Sequence, residues 1–421
     1  MKIAIVGLGY VGTVTGACLA ETGHYVIGVD INKDKVNTIN RGKSPIIEKG
    51  LDRVVLSTVK NKHFLAVNSI REAVLKTDVA MICIGTPSMK SGCINLEYLK
   101  RAVAEIGEIL KEKKRFYTLV IRSTIMPGTT EDTLIPLLEQ ASGGKVDKDF
   151  GVCVNPEFMR EGDSLEDFYK PAKVIIGFRT KKEYALLRKL YSFLKANMIA
   201  TDIKTAEFSK YLDNVFHGLK ACFANEIGVI AGRIGIDAKK AMEILCQDAI
   251  SNISSRYLKP GFAFGGSCLP KDIRAVLYRT KTENLTVPLI GSILKSNDMN
   301  IKRVFRRIIK TKKKKIGILG LSFKPGTDDL RESQIVKLAE LLIKRGCKVK
   351  IYDKNISIAK IIGSNKAYMQ RKITRIQSLL CSSLDDVIKT SEIVIVGHDT
   401  KYFQDSLKKA NNGQMLIDLA Q

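Results

Sequence analysis

The sequence contains no apolar run of the roughly 18–20 residues that a membrane-spanning helix needs. Its start, Met1–Gly7, is too short for a secretory signal peptide and has instead the pattern of a buried strand. It also contains no low-complexity segment and no short repeat. These absences argue against a membrane or secreted protein, and we expect a cytoplasmic one.

Paired cysteines are missing as well. The nine cysteines are scattered, without a CxxC pair and without a histidine at zinc-ligand spacing. Neither a disulfide framework nor a metal site is therefore predicted. Most of these cysteines are expected to be small buried hydrophobes, with Cys268 as the exception.

Acidic residues are few beside basic ones, because 43 Asp and Glu against 69 Lys and Arg give a formal net charge of +26. Such a surface can bind nucleic acid or attract a small anionic substrate. The excess is mostly dispersed lysine, and the one dense run, 306–315, has no interleaved aromatic residues. We therefore predict neither a nucleic-acid partner nor a membrane partner.

Strand and helix patterns alternate from the first residue, which predicts an α/β fold with a parallel sheet. Ala206–Ile234 has apolar residues at helical spacing and no proline, which is typical of a helix that bridges domains or packs against another subunit. We predict two Rossmann-like doubly wound domains, 1–200 and 301–421, joined by this long helix and a helical middle domain, 201–300. The predicted strands of the first sheet are Lys2–Val6, Tyr25–Asp30, Val79–Ile84, Thr118–Ile121, Val152–Val154 and Val174–Ile176.

A G-x-G-x-x-G turn formed by Gly7, Gly9 and Gly12 lies between the first predicted strand and the first predicted helix. Gly7 permits the tight turn, Gly9 lets a pyrophosphate approach the backbone, and Gly12 allows close helix–strand packing. Asp30 ends the next strand, where its carboxylate can bind ribose hydroxyls and would repel a 2′-phosphate. The pattern therefore predicts NAD rather than NADP as cofactor. The corresponding turn at 317–323 lacks this spacing and is predicted to share the fold without binding the same cofactor.

The segment GFAFGGSCLPKD, at 261–272, is the first candidate for chemistry. Its glycines let the backbone wrap closely around a ligand, and Ser267 and Lys271 flank Cys268 in a way that favours a reactive thiolate. A thiolate that attacks a carbonyl carbon would make this a covalent-catalysis site. The alternative is an inert cysteine in a turn.

Two further polar groups are candidates. Lys210, Asn214 and His217 lie on one face of the long predicted helix, because their spacings are four and three residues. Glu157 and Glu161 follow a predicted strand, near the edge of the sheet where such folds bind ligands. Either group could instead be ordinary solvated surface.

These residues belong to a series of ordered blocks that resembles the UDP-glucose/GDP-mannose dehydrogenase family over nearly the whole chain. The blocks are GLGYVG at 7–12, GKSPIIE at 42–48, GTP at 85–87, RSTIMPGT at 122–129, NPEFMREG at 155–162, FANE at 223–226, GFAFGGSCLPKD at 261–272 and SFKPGTDDLRES at 322–333.

The resemblance implies a four-electron oxidation at the C6 carbon of a nucleotide sugar, with hydride passing to NAD twice. It implies that Cys268 forms a thiohemiacetal and then a thioester, which water hydrolyses to the uronate. Lys210, supported by Asn214, is implied to stabilise the oxyanions at C6. Asp272 and Thr124 are implied to position or activate water, and Glu157 and Glu161 to aid hydrolysis or orient the sugar.

The remaining implied contacts fall on positions that match the family's motifs. The implied cofactor contacts are Gly7, Gly9, Tyr10, Val11, Gly12, Asp30, Lys35, Thr86, Thr124, Lys271 and Arg331. The implied substrate contacts are Glu161, Lys210, Asn214, His217, Asn225, Arg256, Tyr257, Lys259, Phe262, Gly265 and Lys324. The positive charges among them suit an anionic diphosphate.

Within the family, this sequence most resembles the GDP-mannose enzymes, and the positions that carry this resemblance are His217, Cys246–Asp248, Asn252 and Ala263. The resemblance implies oxidation of GDP-mannose to GDP-mannuronate, a precursor for polysaccharide biosynthesis, with UDP-glucose or a related UDP sugar as the alternative. It also implies a homodimer built on the long helix, with sites shared between subunits and higher assembly left open. A redox sensor that binds NAD without turnover is the rival class, since it would need neither Lys210 nor Cys268.

Overall fold

The computed structural model describes residues 1–249, 260–282, 284–324, 326–327, 329–356, 378–397, 403, 407 and 413–420. The chain divides into two units, Met1–Asp213 and Asn214–Gln421. The boundary falls within one helix, α9, which runs from Ile203 to Ile234. Among the described residues, no helix combines the length and apolar composition that crossing a membrane requires.

The first unit is built on an eight-stranded sheet with the order β3-β2-β1-β4-β5-β6-β7-β8. Its neighbouring strands are parallel except for β6 and β7, which pair antiparallel. These strands are β1 Lys2–Val6, β2 Tyr25–Val29, β3 Phe64–Val67, β4 Val79–Ile82, β5 Tyr117–Ile121, β6 Phe150–Val154, β7 Val174–Gly177 and β8 Met198–Thr201.

The central strands of this sheet are apolar along almost their whole length because both faces are covered. Every residue of β4, β5 and β6 is buried, as expected for strands that have helices on either side. The helices of the unit are α1 Tyr10–Glu21, α2 Lys33–Asn40, α3 Leu51–Lys60, α4 Ile70–Lys76, α5 Glu97–Leu110, α6 Ile135–Ser142, α7 Ser164–Tyr169 and α8 Lys181–Leu190, with a π-helical turn at Thr130–Leu134.

The long helix begins three residues earlier than the periodicity predicts. It starts at Ile203, directly after Asp202, whose carboxylate accepts the Thr205 N–H at 2.8 Å. An aspartate in this position satisfies a backbone donor that the first helical turn leaves open. The capping residue, rather than the first apolar repeat at Ala206, therefore sets where the helix begins.

The described residues of the second unit contain a four-stranded parallel sheet with the order β10-β9-β11-β12. Its strands are β9 Lys315–Leu319, β10 Lys348–Tyr352, β11 Ile393–Val396 and β12 Met415–Asp418. Besides its part of α9, the unit has the helices α10 Ala238–Gln247, α11 Leu269–Thr282, α12 Pro288–Lys310, α13 Gln334–Lys344 and α14 Leu384–Lys389. The α/β pattern predicted for 301–421 is thus present.

Candidate functional site

The glycine turn after β1 has two positions that packing requires and one that it leaves open. Gly7 has φ +98°, and a Cβ added there would lie 2.8 Å from the carbonyl oxygen of Cys83. A Cβ added to Gly12 would lie 1.8 Å from the Gly7 carbonyl oxygen, whereas one added to Gly9 meets nothing within 4 Å. Gly9 directly precedes α1, so the open space lies at the helix N-terminus, where a phosphate can accept N–H groups.

Asp30, which directly follows β2, binds the glycine turn. Its Oδ2 accepts the Leu8 N–H at 3.0 Å and lies 3.1 Å from Lys35 Nζ, and its Oδ1 accepts the Asn32 N–H at 2.9 Å. The turn, the open Gly9 and the strand-end acid together fit the dinucleotide predicted from the sequence. Tyr10 and Val11, the other predicted contacts here, are the first two residues of α1.

Two predicted cofactor residues meet at the carboxyl edge of the first sheet. Thr86 follows β4 and Thr124 follows the neighbouring strand β5. The Thr86 hydroxyl donates to the Thr124 carbonyl oxygen at 2.6 Å. The two threonines are therefore brought together by adjacent parallel strands, at the edge where open α/β sheets bind ligands.

A buried ion pair joins the acidic loop, residues 155–162, to the long helix. Lys210 Nζ lies 2.9 Å from Glu157 Oε1, and the other carboxylate oxygen of Glu157 accepts the Met159 N–H at 2.8 Å. Burial alone raises the pKa of Glu157, but the charges of Lys210 and Arg122 and these hydrogen bonds outweigh it and lower that pKa. The pair offers a cation for a developing oxyanion and a carboxylate that stays ionised. Glu161 lies partly buried in the same loop.

Three polar residues that support this region were not assigned a role from the sequence. Glu48, the last residue of the GKSPIIE block, accepts the N–H groups of Gly162 and Ser164. Arg122, in the RSTIMPGT block, donates to Asn155 Oδ1 at 2.6 Å, at the start of the acidic loop. Both are charged residues inside motif blocks, and that signal could have identified them.

The third such residue is Glu207, which binds the loop after β5. Its carboxylate accepts the Gly128 N–H at 2.6 Å and the Thr130 N–H at 2.9 Å. Burial raises the pKa of Glu207, although these N–H donors act in the opposite direction. Glu207 stands three residues before Lys210 on α9, and this helical spacing was the available signal.

In the second unit, Cys268 is the exposed member of the nine cysteines; four are buried and four are partly buried, so fewer are buried than expected. Cys268 directly precedes α11, and its carbonyl oxygen accepts the Asp272 N–H at 2.9 Å. Its Sγ lies 3.7 Å from the Ser267 hydroxyl. A thiol exposed at a helix N-terminus is well placed to react as a thiolate.

Asp272 brings three predicted site residues together. Its side chain is almost fully buried, one carboxylate oxygen accepts the Asn214 amide N–H, and the other lies 2.9 Å from Lys271 Nζ. The amide and the ammonium group hold the carboxylate one helical turn after Cys268. His217, one turn after Asn214 on α9, is partly buried.

Two asparagine amides clamp the backbone before Cys268. Asn225 accepts the Gly261 N–H at 2.7 Å and donates to the Phe262 carbonyl oxygen at 2.8 Å. Asn297 accepts the Phe264 N–H at 2.9 Å and donates to the Phe264 carbonyl oxygen at 2.8 Å. These hydrogen bonds of Asn225 and Asn297 thus go to the loop backbone. Asn297 was missed, although it lies at helical spacing on the buried face of α12.

The glycines of this loop permit a close approach of the segment after β9. A Cβ added to Gly265 would lie 2.7 Å from the Glu332 carbonyl oxygen, and one added to Gly266 would lie 2.9 Å from the Phe323 ring. Gly265 is thus required by packing, whatever it does toward a substrate. The neighbouring Phe262 is buried.

The loop after β9 repeats the hydrogen bonds of the glycine turn. Asp353, which follows β10, accepts the Leu321 N–H at 2.7 Å with Oδ2 and the Asn355 N–H at 2.9 Å with Oδ1. Gly320, like Gly7, has a positive φ, of +86°. The sequence lacks the G-x-G spacing here, yet the strand-end acid is present.

The remaining predicted residues have separate surroundings. Arg331 Nε donates to both carboxylate oxygens of the buried Asp329, at 2.9 and 3.0 Å, and Lys324 is partly buried. The predicted substrate contacts Arg256, Tyr257 and Lys259, like Asn252, lie outside the described residues. The roles carried over from the family's motifs stay predictions.

Comparison with known proteins identifies the family. Its NAD binding domain model matches residues 1–195, its central domain model 204–299 and its UDP binding domain model 317–421. A GDP-mannose 6-dehydrogenase of Pseudomonas aeruginosa is 44% identical over 419 residues, which cover 100% of this chain and 96% of the relative. The UDP-glucose 6-dehydrogenase of Haloferax volcanii is 35% identical over 361 residues, covering 84% and 83%.

Solved structures agree with these sequence matches. A UDP-glucose dehydrogenase from Pyrobaculum islandicum has a TM-score of 0.89 at 31% identity, covering 100% of this chain and 94% of that one. A GDP-mannose dehydrogenase from Pseudomonas aeruginosa, solved as a ternary complex, has a TM-score of 0.60 at 44% identity, covering 100% and 96%. The chain belongs to the UDP-glucose/GDP-mannose dehydrogenase family.

Proposed function

We propose that this protein oxidises the C6 alcohol of GDP-mannose to the carboxylate of GDP-mannuronate in an NAD-dependent, four-electron reaction. The observation that carries the sugar assignment is the 44% identity to GDP-mannose 6-dehydrogenases over the full length of the chain. The exposed Cys268, with Asp272 and Lys271 in the helix that it precedes, supports covalent catalysis rather than a sensor without turnover.

The proposed reaction consumes one alcohol, two NAD⁺ and one water, and yields one carboxylate, two NADH and three protons. NAD, when bound, supplies the acceptor for each hydride. Cys268 Sγ adds to the C6 aldehyde to form the thiohemiacetal, and loss of the second hydride leaves a thioester. Water cleaves the C–S bond, which frees the carboxylate and returns the thiol.

The other residues have electrostatic and positioning roles in this proposal. Lys210 stabilises negative charge on the C6 oxygen, with Asn214 in support. Asp272 and Thr124 orient the attacking water, and the acidic loop orients the sugar. The buried Lys210–Glu157 pair supports the first role, because a cation fixed in a buried position needs little reorganisation when charge develops.

For the cofactor we propose NAD, bound at the glycine turn. NADP is disfavoured because the Asp30 carboxylate would repel its 2′-phosphate. The proposal extends to a cytoplasmic location, which the absence of disulfide bonds among the nine cysteines supports. We retain three functional domains, 1–200, 201–300 and 301–421, and a homodimer in which subunits share active sites. Support for the homodimer comes from exposed apolar side chains at helical spacing on α9, which are Phe208, Leu212 and Phe223.

The test is to count NADH formed per sugar nucleotide consumed, with GDP-mannose and UDP-glucose side by side. We expect two NADH per GDP-mannose and none with UDP-glucose. Two NADH with UDP-glucose alone would reassign the substrate, and no NADH with either would contradict the proposal. A Cys268→Ser variant should make no uronate; uronate at the native rate would remove the thioester from the mechanism.

A further inference from the structure

A buried cluster connects the start of the cofactor helix α1 to the acidic loop. Glu48 is 7% exposed, and its Oε2 accepts the Gly162 N–H at 2.7 Å while its Oε1 accepts the Ser164 N–H at 3.1 Å. The Tyr10 hydroxyl donates to the same Oε2. Tyr10 is the first residue of α1 and directly follows Gly9.

The chemistry of this cluster fixes the direction of each hydrogen bond. Both backbone groups are obligatory donors, so Glu48 must accept from Gly162 and Ser164, which an ionised carboxylate does best. Burial is the main cause that raises the pKa of Tyr10, and the Glu48 carboxylate raises it further. The Tyr10 hydroxyl therefore keeps its proton and donates at neutral pH. The Gly162 N–H also lies 3.0 Å from the Tyr10 oxygen. A displacement of Tyr10 would therefore directly disturb the hydrogen bonds of the Gly162 N–H.

We propose that Tyr10 and Glu48 couple cofactor binding to the position of the acidic loop. A dinucleotide held at the N-terminus of α1 fixes Tyr10, Tyr10 fixes Glu48, and Glu48 holds the backbone that follows Glu161. Both are positioning residues, since they act through the loop rather than on the reacting atoms. The consequence for the sugar rests on the proposed function, whereas the coupling itself requires only that NAD binds.

The experiment measures hydrogen–deuterium exchange of the amides of residues 157–164 in the full chain, with and without NADH. NADH binding is followed separately by its own fluorescence. In the native protein we expect NADH to slow exchange of this segment about fivefold or more, the lower end of typical coupling between two sites. In Tyr10→Phe, which removes the hydroxyl and keeps the ring, exchange is measured at an NADH concentration that saturates the variant, and the slowing should fall below about twofold.

Tyr169→Phe is the matched control. The Tyr169 hydroxyl donates to Glu21 in another tyrosine–carboxylate pair of the same unit, between α7 and the last residue of α1. This variant should respond to NADH like the native protein. Equal slowing in native and Tyr10→Phe would overturn the coupling, as would the absence of slowing in the native protein.

NADH is the sole ligand in this experiment, so its outcome does not depend on which sugar nucleotide is oxidised. Failure of native protein to bind NADH would overturn the NAD assignment and the coupling together. A second measurement adds the sugar: GDP-mannose should tighten NADH binding in the native protein, and Tyr10→Phe should bring that factor close to one. An undiminished factor in Tyr10→Phe would contradict the proposal even if exchange behaved as expected.

Discussion

Lys210 and Glu157 form an ion pair with only 8% and 9% of their side-chain surfaces exposed, and 2.9 Å separates the ammonium nitrogen from the carboxylate oxygen. A buried pair of this kind is costly to break, because the surviving partner keeps its charge away from water. The buried ion pair also holds the Lys210 side chain in one position. The pair therefore constrains both stability and the proposed oxyanion role.

Lys210→Met tests the pair. It should lower the free energy of unfolding by about 3–5 kcal/mol, since Glu157 is left buried and charged. Adding Glu157→Gln should restore part of that loss, which a double-mutant cycle measures. The pKa of Glu157 is lowered in the folded protein, so the pair stabilises the folded state at pH values above the ordinary glutamate pKa of about 4.3. That contribution is lost as the pH falls through the lower folded pKa. The difference in unfolding free energy between the native protein and Lys210→Met should therefore become smaller in acid. A difference that does not change with pH would contradict this account.

Gly9→Ala and Gly12→Ala separate ligand approach from packing. The added methyl group at Gly9 meets no protein atom within 4 Å, so this variant should melt within a few degrees of the native protein. It should bind NADH about tenfold more weakly, because the methyl group occupies space beside the predicted pyrophosphate. Gly12→Ala places its methyl group 1.8 Å from the Gly7 carbonyl oxygen and should lower Tm strongly. Unchanged NADH affinity in Gly9→Ala would place the phosphates elsewhere.

Glu207→Gln should reveal the raised pKa of Glu207 through the pH dependence of Tm. A carboxyl group whose folded pKa is raised costs stability as the pH rises from its unfolded value, about 4.3, through the folded one. The native Tm minus the variant Tm should therefore decrease over that range. Glu392→Gln is the control with the opposite sign, because the N–H groups of Lys315 and Lys314 lower the pKa of the partly buried Glu392. The same trend in both variants would rule out the Glu207 assignment.

Asn297→Asp tests the clamp on the loop that precedes Cys268. The aspartate keeps an acceptor for the Phe264 N–H but loses the donor to the Phe264 carbonyl oxygen, and it buries a charge where the asparagine is 2% exposed. We expect a loss of about 1–3 kcal/mol in stability and a changed rate of Cys268 alkylation by iodoacetamide across pH. Asp298→Asn, at a neighbouring exposed side chain, should alter neither. Native alkylation kinetics in Asn297→Asp would show that the clamp does not govern the thiol.

Much of the fold could be predicted because apolar runs mark buried strands and glycine patterns mark turns. The direction of β7 could not, since a run such as Val174–Ile176 is equally apolar in a parallel and an antiparallel neighbour. The site residues that were predicted stand in motif blocks with a recognisable chemical use. Motif position or helical spacing could have marked Glu48, Glu207 and Asn297 as candidates. Their roles were missed because most of their partners are backbone N–H and carbonyl groups, which every residue carries.

The strand-end acid occurs twice, and its geometry has a consequence for engineering the cofactor preference. Asp30 and Asp353 each bind the preceding turn with Oδ2 and the residue two positions on with Oδ1. Each aspartate thus stabilises its turn through these hydrogen bonds, independently of any contact with a ribose. Replacing Asp30 by a small neutral residue to admit a phosphorylated cofactor would loosen the turn that must hold it. A successful redesign would first supply new acceptors for the Leu8 and Asn32 amides.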